Sequence, residues 1–269
     1  MTGIPSGANT IDRRFGWLDQ PEESARVWST LPWPDLSREG EGVGKIALLH
    51  EIFPRAAGKP FPVWNQGIGD CVSFGWALAL STLLATQVAR GQSSGYPADV
   101  ATEPIYGGSR VEVGGRRLGP SEDGSIGAWA ARWVCDWGVL FRQVYGQEDL
   151  SAYQPSRARS WGWTGVPDAL EPIAREHPVG TARLITSYTA ARDWIAGVNG
   201  SVVVCSNQGF EDRRDAQGFA RPRGVWPHCM CFIAVDDTAP RPGLLCCNSW
   251  GPAWISGPTR HNQPPGSFW

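Results

Sequence analysis

Residues 72–90 (Val-Ser-Phe-Gly-Trp-Ala-Leu-Ala-Leu-Ser-Thr-Leu-Leu-Ala-Thr-Gln-Val-Ala-Arg) form the longest run free of helix breakers after Gly75, and Gly91 closes it. Rich in Ala, Leu and Trp, it predicts the clearest helix of the chain. Its apolar heart, residues 76–85, is too short and too interrupted to predict a membrane span. Immediately before it stands Asn65-Gln66-Gly67-Ile68-Gly69-Asp70-Cys71, a glycine-rich approach that ends in a cysteine.

A cysteine at a helix N-terminus meets unpaired backbone N–H groups and the positive end of the helix dipole, and both stabilise a thiolate. The glycines let the backbone approach a substrate closely. Gln66 is near enough for its side-chain N–H to join the Cys71 N–H as a pair of oxyanion donors. Asp70 places a carboxylate beside the thiol and opposes thiolate formation unless it turns to solvent.

The second half of the chain changes period. Residues 201–206, 226–236 and 244–250 read as strands, whereas residues 125–137 and 189–196 read as helices, the latter capped by Ser187 or Thr189. Residues 95–120 predict a loop with a short hairpin near Gly114-Gly115. Helices first and strands later predict an α+β protein. Two strands joined by a turn at 240–243 bring His228, in Trp-Pro-His-Cys-Met, beside Asn248, in Cys-Asn-Ser-Trp-Gly. Asn248 can hold one ring nitrogen of His228 and leave the other facing a thiol.

Gln66-Gly67…Cys71, then His228, then Asn248-Ser249-Trp250-Gly251, in this order and with this separation, resembles the papain-like cysteine peptidases. The resemblance covers roughly residues 53–269. It implies a two-lobed α+β fold: a mainly helical left lobe (about 60–160) carrying the cysteine helix, and a β-barrel-like right lobe (about 161–269) carrying His and Asn. A cleft lies between them. It further implies Cys71 as nucleophile, His228 as base and then acid, Asn248 as orienter and Gln66 as oxyanion donor. Trp250 shields the His–Asn bond and lines the cleft, and Gly124 and Ser125 lie on the substrate-binding wall. The implied reaction is hydrolysis of a peptide or protein substrate with no cofactor and no metal. Ile68-Gly69-Asp70-Cys71-Val72 departs from the family's Cys-Gly-Ser-Cys-Trp, and resembles divergent bacterial or phage members. Two alternatives stand beside the peptidase reading: a non-catalytic structural or binding protein on the same fold, and an acyl transferase using the same triad.

Residues 1–44, rich in Pro, Gly, Ser and charge, predict an N-terminal extension with little regular structure ahead of a domain at 45–269, and no recognisable inhibitory propeptide. The end, Gly266-Ser267-Phe268-Trp269, reads as the start of a last, truncated right-lobe strand. The net charge of −2 and the absence of basic clusters argue against nucleic-acid and membrane partners. With no basic and apolar leader, and seven cysteines, an odd number, the expected location is a reducing cytoplasm, or a virion if phage-encoded. Cys229, Cys231, Cys246 and Cys247 lack Cys-x2-Cys spacing and read as core residues rather than a zinc cage. Trp129, Trp133 and Trp137 read as one packed helix face, Trp161 and Trp163 as loop residues, and the arginines at 213, 214, 221 and 223 as solvated.

Overall fold

The computed structural model describes residues 15–31 and 38–269, so part of the predicted N-terminal extension lies outside the described residues. The helix predicted at 72–90 is α3 (Cys71–Ala89). It is apolar on all sides because it is buried on most of them. Val72, Ala77 and Leu80 join a cluster with Ile105, Trp133 and Leu140, while Leu78 and Ala79 join another with Ile233, Leu245 and Trp269. α3 has the length and hydropathy of a membrane span, yet 72% of its apolar window is buried inside the fold, as in a core helix. Its internal hydroxyls are satisfied: Thr82 donates to the Leu78 carbonyl and Ser81 accepts from the Val100 N–H.

Ahead of α3 lie α1 (Pro21–Trp28), β1 (Ile46–Leu48) and α2 (Leu49–Ala57). The extension is therefore not featureless. α1 begins with Pro21 at its first turn and packs through Val27 against α5 (Gly127–Asp136), where Trp129 and Ala131 receive it.

Residues 95–120 are a second correction. In place of a hairpin they form α4 (Thr102–Gly108) running into a π-helical turn, Ser109–Val113. Gly107 and Gly108 look like breakers in the sequence but act as packing notches: a Cβ on Gly108 would lie 2.1 Å from the Trp133 ring. The π turn sends buried Arg110 inward to donate to the carbonyls of Gly119, Glu122, Gly124 and Gly162. One guanidinium thus fixes the loop that ends at Gly124 and Ser125. Trp161 and Trp163 lie on α6 (Pro155–Thr164), not in a loop. Trp133 and Trp137 stack at 5.0 Å, as the helical spacing predicted.

A short hairpin, β2 (Val144–Tyr145) and β3 (Glu148–Asp149), precedes α6; α7 (Glu171–Arg175) and α8 (Tyr188–Val198) follow it. Ser187 caps α8 by accepting from the Ala190 N–H, and Asn199 in the left-handed region ends it.

The right lobe is an antiparallel sheet of β1, β4 (Val202–Arg214), β5 (Ala220–Asp236), β6 (Gly243–Cys247) and β7 (Ser267–Phe268). The long β5 pairs with β4 through most of its length and with β1 and β6 near its end. The sheet curls: Trp269, just past β7, donates to the Gly218 carbonyl and accepts from the Ala220 N–H at the far end of β5. Phe268 and Trp269 are buried. Arg214, expected in solvent, is buried and donates to the carbonyls of Gly257, Pro258 and Ser267. The α+β class and the two-lobed plan follow the expectation, and among the described residues the barrel-like lobe is a curled sheet rather than a closed barrel.

Candidate active site

The first turn of α3 and the middle of β5 face one another. Gly75, one turn after Cys71, leaves a notch filled by β5: a Cβ there would lie 2.8 Å from Cys229 Sγ and 3.1 Å from the Met230 carbonyl oxygen. The Cys71 thiol is fully buried against the backbone amides of Cys229 and Gly16, and burial pushes it up despite those donors.

Asp70 precedes the helix without capping it through its side chain. The carboxyl turns into the left lobe and accepts a 2.8 Å hydrogen bond from the Tyr153 hydroxyl. It is fully buried, and desolvation raises it well above the usual carboxylate range. Asp70 is thus turned into the left lobe rather than to solvent: burial opposes its ionisation, and its charge, when present, raises the Cys71 thiol.

Residues 64–66 pair with 249–251. The Gln66 N–H donates to the Ser249 carbonyl at 2.8 Å and the Gly251 N–H to the Trp64 carbonyl at 2.9 Å. This seats the Gln66 side chain. Its Oε1 accepts from the Ser249 hydroxyl at 2.5 Å and its Nε2 donates to the Ile68 carbonyl at 2.8 Å, which turns the amide N–H group toward the approach to Cys71.

His228 is buried on β5, opposite Ser206 of β4. Its Nε2 lies 2.8 Å from Asn248 Oδ1, and the Ser249 N–H also points at that oxygen, 2.7 Å away. An oxygen that takes two donors can only accept, so Nε2 carries a proton and Nδ1 is the basic nitrogen of the neutral ring. The Trp250 ring lies over the imidazole with centroids 4.7 Å apart. Trp226, Trp250 and Trp254 continue as an aromatic wall, at 4.7 Å and 5.3 Å.

The cleft between these two halves is occupied by the chain's own residues 15–18. The Trp17 N–H donates to the Pro227 carbonyl at 3.1 Å, the Ser125 N–H to the Gly16 carbonyl at 2.8 Å, and the Leu18 N–H to the Ser125 carbonyl at 2.9 Å. The segment therefore holds both lobes at once. Phe15 packs on His228, Trp226 and Trp250. Gly16 passes so close to Gly69 that a Cβ would lie 1.8 Å from its carbonyl oxygen. Of the residues expected on the binding wall, Ser125 pairs with this segment through both backbone groups, and Trp250 touches it. Gly124, with φ 113°, is held from behind, its N–H on the Tyr106 hydroxyl and its carbonyl on Arg110.

The sequence reading did not assign Phe15, Gly16, Trp17 or Ser249 to the site. The signal for the first three was an apolar tetrapeptide, Phe-Gly-Trp-Leu, in an extension rich in Pro, Gly, Ser and charge.

No family model and no curated protein matches the sequence. Solved structures do. Xylellain, a cysteine protease from Xylella fastidiosa, aligns with a TM-score of 0.53 at 17% identity over 100% of this chain and 87% of its own. A procathepsin B of Trypanosoma congolense aligns with a TM-score of 0.55 at 12% identity, covering 96% and 81%. A digestive procathepsin L of the Tenebrio molitor larval midgut gives 0.52 at 14%, covering 97% and 71%. The fold is that of the papain-like cysteine proteases.

Proposed function

We propose that this papain-fold chain is a thiol-dependent hydrolase of peptide bonds, with Cys71 as nucleophile, His228 as base and acid, and Asn248 as the group that orients the imidazole. The observation that carries this reading is the 2.8 Å His228–Asn248 bond beneath Trp250, on a strand laid against the first turn of the cysteine helix. With Nε2 tied to Asn248, Nδ1 takes the thiol proton and the thiolate attacks the scissile carbonyl carbon. The oxygen becomes an anion held by the Cys71 N–H and the Gln66 amide N–H. The imidazolium returns its proton to the leaving amine as the C–N bond breaks, and water then hydrolyses the acyl-enzyme.

The present structure is a closed state of that site. Residues 15–18 fill the cleft and the thiol has no exposed surface, so turnover requires the segment to leave. The same burial favours a second reading, a papain-fold binding or structural protein whose cleft stays shut. A vinyl-sulfone electrophile, followed by peptide mapping, separates the two. In a chain lacking residues 1–18, Cys71 is expected to be modified, and Cys71→Ala to abolish both modification and peptide cleavage. Absence of modification at Cys71 in the shortened, folded chain would establish the structural reading. Added amines that trap acyl product would shift the assignment to acyl transfer.

A further inference from the structure

Cys205 and Cys229 are directly opposed on β4 and β5, and their sulfurs lie 3.4 Å apart. Opposed residues of antiparallel strands have Cα atoms about 4.5–5.5 Å apart, inside the range of about 4.4–6.8 Å that a disulfide spans. Both thiols point to the same side, toward the cysteine helix and the start of α5. A Cβ on Gly75 would lie 2.8 Å from the Cys229 sulfur, and a Cβ on Gly127 would lie 2.7 Å from the Cys205 sulfur. Two glycines thus make room for this pair. The two thiols differ in access. Cys229 is buried, whereas Cys205 is half-buried and opens onto a cavity of about 680 Å³ whose walls include Trp76, Leu80, Leu83 and Val203.

We propose that Cys205 and Cys229 are an oxidisable thiol pair that forms a disulfide with hydroperoxides and clamps β4 to β5 one residue beyond His228. Peroxide entering by the cavity meets Cys205 first. The sulfur attacks one peroxide oxygen, the O–O bond breaks, and Cys205 becomes a sulfenic acid as water leaves. The Cys229 sulfur then displaces that hydroxyl as a second water. Two thiols and one hydrogen peroxide give one disulfide and two waters, with two electrons passing from the sulfurs to the O–O bond. Closing the gap from 3.4 Å to the roughly 2.0 Å of a disulfide moves a sulfur by little more than 1 Å. That motion shifts one or both sulfurs in their notches at Gly75 and Gly127, so the bond changes how β4 and β5 seat on the cysteine helix and α5.

The test uses the full chain carrying Cys71→Ala, which removes the candidate nucleophile from the oxidation and makes the result independent of turnover. The protein is treated with equimolar hydrogen peroxide, alkylated after unfolding and mapped by mass spectrometry. The expected product is a peptide cross-linked through Cys205 and Cys229, lighter by two hydrogens. The melting temperature should rise by about 5 °C or more, since the bond closes a loop of the denatured chain, and dithiothreitol should reverse the rise. Recovery of both cysteines as alkylated thiols overturns the proposal, as does a cross-link from Cys205 to any other cysteine. A melting rise that persists when Cys205→Ala is added overturns it as well.

Discussion

Substituting Gly16 by alanine tests whether residues 15–18 are what keeps Cys71 from reagents. The new Cβ would lie 1.8 Å from the Gly69 carbonyl oxygen, 2.3 Å from its carbon and 2.8 Å from its Cα, all backbone atoms that cannot rotate away. An ordinary contact needs well over an ångström more, so the segment must lift. Lifting it breaks the hydrogen bonds from Trp17 to Pro227, from Ser125 to Gly16 and from Leu18 to Ser125. At about 1 kcal/mol net each, these hold the segment by roughly 3 kcal/mol. Phe15, packed on His228, Trp226 and Trp250, adds about 1–2 kcal/mol. A closing energy of about 4–5 kcal/mol leaves the cleft open in roughly one molecule in a thousand or fewer. Gly16→Ala is therefore expected to raise the second-order rate of Cys71 alkylation by a small-molecule vinyl sulfone at least a hundredfold. The melting temperature should fall by about 10 °C, because the folded chain loses the roughly 4–5 kcal/mol of closure while the remainder keeps its packing. The assay is mass spectrometry of the Cys71 peptide against time. An alkylation rate within threefold of the parent would refute the reasoning: the segment would then not govern access to the thiol.

Asn248→Ala should lower kcat by tenfold or more with a smaller rise in KM, because it disturbs the orientation of His228 in the transition state; steady-state kinetics on the shortened chain measure the split. Asp70→Asn should leave stability within about 1 kcal/mol, since burial opposes ionisation of the carboxyl and an amide oxygen accepts from Tyr153 as well; a urea-unfolding loss of several kcal/mol would show that Asp70 is ionised. Glu23 is held down at about 2 by Arg26, Trp129 and Arg117. A depressed carboxyl stabilises the folded state above its ordinary range and loses that contribution as pH falls through the folded value. The docking of α1 on α5 should therefore weaken between about pH 4.5 and 2, read as rising proteolysis near residues 29–31, and Glu23→Gln should remove that dependence. Trp269→Ala removes a buried ring that closes the sheet and should cost about 3–5 kcal/mol in urea unfolding; a loss below about 1 kcal/mol would mean the curl holds without it.

The cysteine helix, the three later strands, a cap at Ser187 or Thr189, and the order Gln66, Cys71, His228, Asn248 were legible in the sequence, because each depends on neighbours in the chain. Helix propensity, strand period and capping act over a few residues, and the Asn-Ser-Trp-Gly motif is contiguous. Four features belonged to the tertiary structure alone. Gly107 and Gly108 read as loop residues by propensity, yet lie in α4 because Trp133 and Trp161 fill the space a Cβ would take. Asp70 read as a charge beside the thiol unless it turned to solvent, but its hydrogen bond from Tyr153, eighty-three residues away, buries it in the left lobe, where desolvation opposes its ionisation. Arg214 read as a surface cation, and three distant carbonyls draw it inside. Residues 15–18 carry too little local preference to predict a conformation, and gain one only from two lobes that meet around them. Local rules carry a chain as far as its elements and motifs; whether a side chain is charged, a glycine is a break or a notch, and a cleft is open or shut is decided by surfaces far apart in sequence, whose contact energies no local pattern encodes.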